Sequence, residues 1–330
     1  NINDAPTGSV TISGTATQGQ TLTAANTLTD ADGLGSISYQ WKRAGSSISG
    51  ATSSTYSLNQ VDVGSAITVT ASYTDAQGTA ETVSSSPTSA VANINDAPTG
   101  SVTISGTATQ GQTLTAANTL TDADGLGSIS YQWKRAGTAI SGATSSTYSL
   151  TQADVGSAIT VTASYTDGQG TAESVSSSAT SAVANVNDAP TGSITISGAP
   201  TQGQTLTAAN TLADADGLGS ISYQWKRAGA AISGATSSTY TLVQADVGSA
   251  ITVTASYTDG QGTSESVSSS ATSAVANVND APTGSVTISG TAKQGETLSA
   301  ANTLADADGL GSISYQWKRA GTAISGATSS

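Results

Sequence analysis

The chain has 330 residues, with 22 acidic and 9 basic side chains, no cysteine and no histidine. That composition excludes disulfides, thiolate chemistry, imidazole base catalysis and most transition-metal sites. The net charge of −13, without a basic patch, leaves no face for nucleic acid or an anionic membrane surface.

The segment "NINDAPTG" opens the chain at Asn1 and returns at Asn93; as "NVNDAPTG" it returns at Asn185 and Asn277, a period of 92 residues. The copies are 1–92, 93–184, 185–276 and a partial 277–330, and the first two differ at only seven positions. A unit of this size holds its own core, which sets it apart from short solenoid repeats. The fourth copy stops in mid-pattern, so the chain is expected to be a segment of a longer array. Near-identical copies imply that length is what such an array supplies.

Within each copy the apolar pattern has period two, the signal of a half-buried strand. In the first copy "SVTIS" alternates Val10 and Ile12 against hydroxyls. "QTLTAANTL" is less regular and is read as a strand with a bulge near Ala25. "SISYQW" sets Ile37, Tyr39 and Trp41 on one face, and "STYSL" adds Tyr56 and Leu58. "AITVTASYT" sets Ile67, Val69, Ala71 and Tyr73 inward. The stretch near 79–92 lacks large apolar residues and reads as an edge. Gly-containing turns separate the strands, and no helix is expected. Several short strands with a Trp on the third predict an all-β fold: tandem antiparallel Ig-like β-sandwiches in a linear array.

Only 9% of the residues are charged, against about 25% in ordinary domains, so the carboxylates are placed rather than scattered. Each complete copy has six acids and two bases, a net of 2 − 6 = −4. In copy one the acids are Asp4, Asp30, Asp32, Asp62, Asp75 and Glu81; the bases are Lys42 and Arg43.

"YQWKRAG" followed by "ISGATSSTYSLNQVDVGSAITVTASYTD" resembles strands C to F of an immunoglobulin-like domain, with Trp41 as the core Trp and "DVG" at 62–64 as the E–F corner. No Cys pair joins the sheets; Ile67 and Val69 stand about where a corner Tyr and the second Cys would be. The succession "VANINDAPTG", "LTDADGLGSISYQW", "SYTDAQGTAE" is similar to the bacterial Ig-like and cadherin-like repeats of giant, RTX-type, type I secreted surface adhesins. That resemblance implies a secreted or cell-surface, non-catalytic extender.

In such a sandwich the B–C loop (Asp30, Asp32), the F–G loop (Asp75) and the linker (Asn3, Asp4) share one pole. The E–F corner of one copy faces this pole of the next. Carboxylates about 5 Å apart repel by roughly 3 kcal/mol per pair at an effective dielectric of about 20, and no base offsets this. Asp at i and i+2 with a Gly in a flexible loop suits Ca²⁺ better than Mg²⁺. The arrangement is similar to cadherin junctions, which implies that Asp122 and Asp124, linker residues Asn95 and Asp96, and Asp167 bind Ca²⁺. The equivalent candidates are Asn3, Asp4, Asp30, Asp32 and Asp75 in copy one, and Asn187, Asp188, Asp214, Asp216 and Asp259 in copy three. In copy four they are Asn279, Asp280, Asp306 and Asp308. The E–F acids Asp62, Asp154 and Asp246 are weaker candidates, because each is also placed to pair with the Lys-Arg that ends strand C. Two readings need no ion: "DADG" as a turn whose side chains bond nearby N–H groups, and "NDAP" as an Asx-turn.

The leading functional expectation is an extender whose junctions are rigidified by Ca²⁺, with neighbouring repeats as its partners and no membrane insertion in this segment. The alternatives are a self-assembling filament or surface layer, and a Ca²⁺-dependent carbohydrate-binding module.

Overall fold

The computed structural model of the chain describes residues 2–330. They divide between Asn185 and Val186 into two compact units, one holding copies one and two, the other copies three and four. Copy one contains seven strands: β1 (Val10–Ser13), β2 (Thr21–Asn26), β3 (Ser38–Arg43), β4 (Ser46–Ser47), β5 (Thr55–Ser57), β6 (Ile67–Thr74) and β7 (Ala80–Ser84). They form two antiparallel sheets, β1-β2-β5 and β4-β3-β6-β7. Copies two and three repeat this set, from Val102–Ser105 to Ala172–Ser176 and from Ile194–Ser197 to Ser264–Ser268. The expected tandem of Ig-like sandwiches is the architecture found.

The core follows from the alternation. β6 sends Ile67, Val69, Ala71 and Tyr73 inward, all at most 4% exposed, and Trp41 stands directly across from Val69. Trp41 stacks on Tyr56 at 5.8 Å between ring centroids, and its indole N–H donates to the carbonyl of Ser53 at 2.8 Å. This aromatic pair joins the two sheets, since β3 and β5 belong to different ones. Of the four expected core aromatics, Trp41 and Tyr73 are buried, while Tyr39 and Tyr56 are half-buried. Each complete copy has a separate buried cluster of its own.

Three sequence expectations are corrected or extended. β2 carries no bulge: its pairing with β1 runs unbroken from Val10↔Asn26 to Ser13↔Thr23. Ala24 is buried beside Leu22, and its small side chain is what blurred the alternation. A short 3-10 turn, Gln60–Asp62, occupies the E–F corner, where only a loop was expected. β7 is an edge strand as read, but beyond it Val91 and Ala92 form parallel bridges to Val63 and Thr17. Those bridges carry the chain back across the E–F pole just before the next copy begins.

β3 and β4 are joined by the two-residue turn Ala44-Gly45, both at positive φ (44° and 82°). Positive φ at both central positions marks a type I′ hairpin, where Ala is an uncommon choice. In copy four the described strands are Val286–Ser289, Ser299–Asn302, Lys318–Arg319 and Thr322–Ala323. Without counterparts of β5–β7, Val286 is 55% exposed against 4% at Val10.

Candidate functional site

The "DADG" loop is built by its own side chains. Asp30 Oδ1 accepts the backbone N–H of Asp32 at 2.8 Å, an Asx-turn. Gly33 closes the loop at φ 99°. Gly35 lies so close to β6 that a Cβ there would meet the Thr74 carbonyl at 2.0 Å. The other Asp30 oxygen, Oδ2, accepts the Tyr73 hydroxyl at 2.5 Å. Burial, then the bond to Asp30 and the charges of Glu81 and Asp75, push the Tyr73 phenol far above its ordinary range, so it remains a donor.

The linker joins the same pole. Asp32 is buried and its Oδ2 accepts the N–H of Asp4 at 2.8 Å, while Asn3 donates to Glu81 at 2.8 Å. The F–G turn is held against the B–C loop by Ala76 N–H donating to the Asp32 carbonyl. Asp75 Oδ1 accepts the N–H groups of Gln77 and Thr79 at 2.9 and 2.7 Å. Asn95, Asp96, Asp122, Asp124 and Asp167 repeat this set in copy two. Asn187, Asp188, Asp214, Asp216 and Asp259 repeat it in copy three. In copy four Asp280 N–H donates to Asp308, Asp308 N–H donates to Asp306, and Asn279 donates to the carbonyl of Asp280. Linker and loop acids therefore converge on one pole in every copy, as the sequence predicted.

The E–F acids do not join them. Asp62, Asp154 and Asp246 are fully buried and turned into their own sandwich. Asp62 pairs with Arg43 at 2.6 Å, accepts the Tyr56 hydroxyl at 3.0–3.1 Å and takes the N–H of Asn59 at 2.9 Å. Asp154 and Asp246 are held likewise by Arg135 and Arg227. Burial alone would raise the Asp154 carboxyl, but the Thr151 N–H, Arg135, Tyr148 and the Thr151 hydroxyl bring it below the usual carboxylate range. The ion pair with the end of strand C is the role these acids have.

What faces the next copy from this corner is the residue two positions earlier. Gln60 Nε2 donates to Asp124 Oδ1 at 2.8 Å. Beside it, Gln18 of the A–B turn donates to Asp96 Oδ2 at 2.8 Å and accepts the N–H of Ile94 at 3.1 Å. The second unit repeats this between copies three and four. Gln244 reaches Asp308 at 3.2 Å, Gln202 reaches Asp280 at 2.9 Å, and Val278 N–H donates to Gln202 at 3.2 Å. The Asp96 N–H, with the Asn93 and Gln60 side chains, outweighs burial and holds the Asp124 carboxyl below its usual range. Asp280, Asn277 and Gln244 do the same for Asp308. Sequence reasoning missed the glutamines because it followed charge; their signal was a Gln two residues before each E–F Asp in every complete copy.

Among the described residues no group of three or more acidic side chains is placed to hold a metal ion. Both oxygens of Asp124 and Oδ2 of Asp96 accept N–H donors. One atom per complete copy differs: Oδ2 of Asp75, Asp167 and Asp259 is buried and has no hydrogen-bond partner.

No family model matches the chain, and no curated protein matches it. Solved structures similar to it include the Ca²⁺-stabilized adhesin that helps an Antarctic bacterium reach out and bind ice. That likeness has 16% identity, covers 87% of this chain and 78% of that one, and has a TM-score of 0.29. A tetra-tandem repeat in the extending region of a large adhesion protein is similar at 20% identity, covering 92% and 89%, with a TM-score of 0.32. The ICAM-5 D1–D4 ectodomain fragment is similar at 14% identity, covering 81% and 75%, with a TM-score of 0.33. At these identities and scores the likeness does not extend to function.

Proposed function

We propose that the chain is a non-catalytic spacer segment of a long bacterial surface adhesin, exported to the cell exterior, in which each 92-residue copy adds one sandwich to an array. The observation that carries this reading is the near-identity of complete copies that each own a closed core. Copy number then sets length, and nothing in one copy specialises it from the next. The weakly charged, hydroxyl-rich surface suits a segment that separates other domains without binding them. Against a carbohydrate module, the aromatic nearest the "DADG" loop, Tyr73, is 4% exposed and already bonded to Asp30.

Calcium enters this proposal at one place. The unpartnered buried Oδ2 of Asp75, Asp167 and Asp259 supports a cation beside the F–G turn, inside a copy. Bound there, calcium stabilises the folded copy by RT ln(1 + [L]/Kd).

Small-angle scattering on arrays with added or removed complete copies tests the spacer role. The maximum dimension rises by a constant increment per copy, and the mass stays that of a monomer. A dimension that saturates, or a mass that grows with concentration, replaces the spacer by a self-assembling filament. For calcium, titration calorimetry detects binding that Asp75→Asn, Asp167→Asn and Asp259→Asn together abolish. Absence of binding heat in the parent chain removes the ion.

A further inference from the structure

We propose that alignment between the two copies within each compact unit is set by two glutamine amides clasping two carboxylates, and that it is independent of calcium. This deepens the spacer reading and rests on it, since a spacer must hold its angle at each junction. The clasp is Gln18 on Asp96 together with Gln60 on Asp124 in the first unit, and Gln202 on Asp280 with Gln244 on Asp308 in the second.

Four observations carry it. The two contacts come from different loops of one copy, the A–B turn and the E–F corner, and land on different segments of the next, its linker and its B–C loop. Two such points fix a direction, where a single contact leaves a pivot. The two acids are themselves joined, since Asp96 N–H donates to Asp124 Oδ2 at 2.7 Å. The receiving surface is thus one rigid piece.

The amide orientation is also dictated by the partner. An ionised carboxylate only accepts, so each glutamine must present its NH₂. For Gln60 and Gln244 that orientation leaves Oε1 buried without a partner. An orphaned buried carbonyl is unfavourable, and it persists in both units because the charge-assisted bond to aspartate is the stronger one. Finally, the arrangement accounts for acids gathered without a base nearby. Neutral N–H and O–H donors reach Asp96, Asp122 and Asp124, a solution outside the choice between solvated loops and a bound cation.

The absence of cysteine permits a direct test in the whole chain. Thr11 and Thr103 are exposed strand positions in copies one and two; Thr11→Cys with Thr103→Cys takes a pair of spin labels. The distance distribution is measured with added calcium and with EDTA. The proposal expects one narrow distribution, the same in both. Gln18→Met with Gln60→Met keeps side-chain length and removes the donors; the distribution broadens while the melting curve is unchanged. Gln60→Glu sets carboxylate against carboxylate, broadening the distribution at pH 7 and narrowing it again when acid protonates the pair. A parent distribution that broadens in EDTA, or a double methionine variant that stays narrow, overturns the proposal and leaves the spacer reading standing. A parent distribution broad under every condition overturns both.

Discussion

Asp154→Ala in copy two tests the claim that the E–F acid is an internal structural group. The Asp154 carboxylate is fully buried and receives Arg135 Nε at 2.7 Å, the Tyr148 hydroxyl at 2.9 and 3.1 Å, and the Thr151 N–H and hydroxyl at 2.8 and 2.9 Å. Removing it strands a guanidinium, a phenol, a hydroxyl and a backbone N–H at once. Breaking a buried pair from one side costs about 3–5 kcal/mol. The separate penalties do not simply add, because the donors belong to one network. The Arg135 side chain is 32% exposed and regains water, which places the cost toward the lower end, about 3 kcal/mol.

Each kcal/mol lowers the melting temperature of a domain this size by roughly 4–8 °C, so copy two should melt about 12–24 °C early for that cost of about 3 kcal/mol. Because each copy has its own buried cluster, calorimetry should show an early transition split from the rest. Asp246→Ala should cost less: Val243 replaces Thr151 there, so the Tyr240 phenol is stranded but no threonine hydroxyl is. A thermogram superimposable on that of the parent chain would refute the structural role and return Asp154 to the ligand candidates.

Trp133→Ala should destabilise copy two by about 3–5 kcal/mol, as large aromatics do when cut from cores; an unchanged melting curve removes the assigned register. Ala136→Asn, at φ 44° in copy two's counterpart of the Ala44-Gly45 turn, should raise copy-two stability by about 0.5–1 kcal/mol because Asn tolerates the left-handed region better than Ala; a lower melting temperature contradicts the turn type. Asp124 has a folded pKa below its unfolded value, so its contribution is complete above about pH 4 and is lost only as pH falls through the lower folded value. The junction distance distribution should therefore be constant from pH 7 to about 5 and broaden only in stronger acid, and broadening near pH 6 refutes this. Trypsin should cut the native chain slowly at Arg135 and Arg227, which end paired strands, and should release 92-residue pieces after unfolding; rapid native cleavage refutes the strand assignment.

Much of the fold was legible because period-two alternation is a local consequence of the pleat. "AITVTASYT" shows its buried face, and Trp41 shows the sheet it belongs to. The false bulge at Ala25 and the missed 3-10 turn have one cause: small or polar residues carry little periodic signal. At the pole, sequence correctly gathered the Asn-Asp linker, the D-x-D pair and Asp75. It did not say what satisfies them. Tyr73, read only as core, turns its hydroxyl to Asp30. Glu81, read only as charge, takes the linker Asn3. Those partners lie 43 and 78 residues away in the chain, and spacing rules that work over four or five residues do not reach them.

The turn Gln60-Val61-Asp62 ties the two halves of this reading together. A 3-10 turn advances about 120° per residue, so positions i and i+2 cannot share a face. Asp62 is fixed inward by Arg43, Tyr56 and the Asn59 N–H, Val61 is left 66% exposed, and Gln60 is left facing the next copy. The buried acid thus serves the junction without touching it: it anchors the platform from which the amide reaches. Copy three forms the same turn with Val243 in place of Asn59 or Thr151. The inward carboxylate, rather than the side chain that opens the turn, is therefore what holds the platform. A cation-binding acid at this position would need to face outward, and the core would then lose the counter-charge for Arg43. The buried pair and a junction metal ligand are competing uses of one residue, and the sandwich has taken the first.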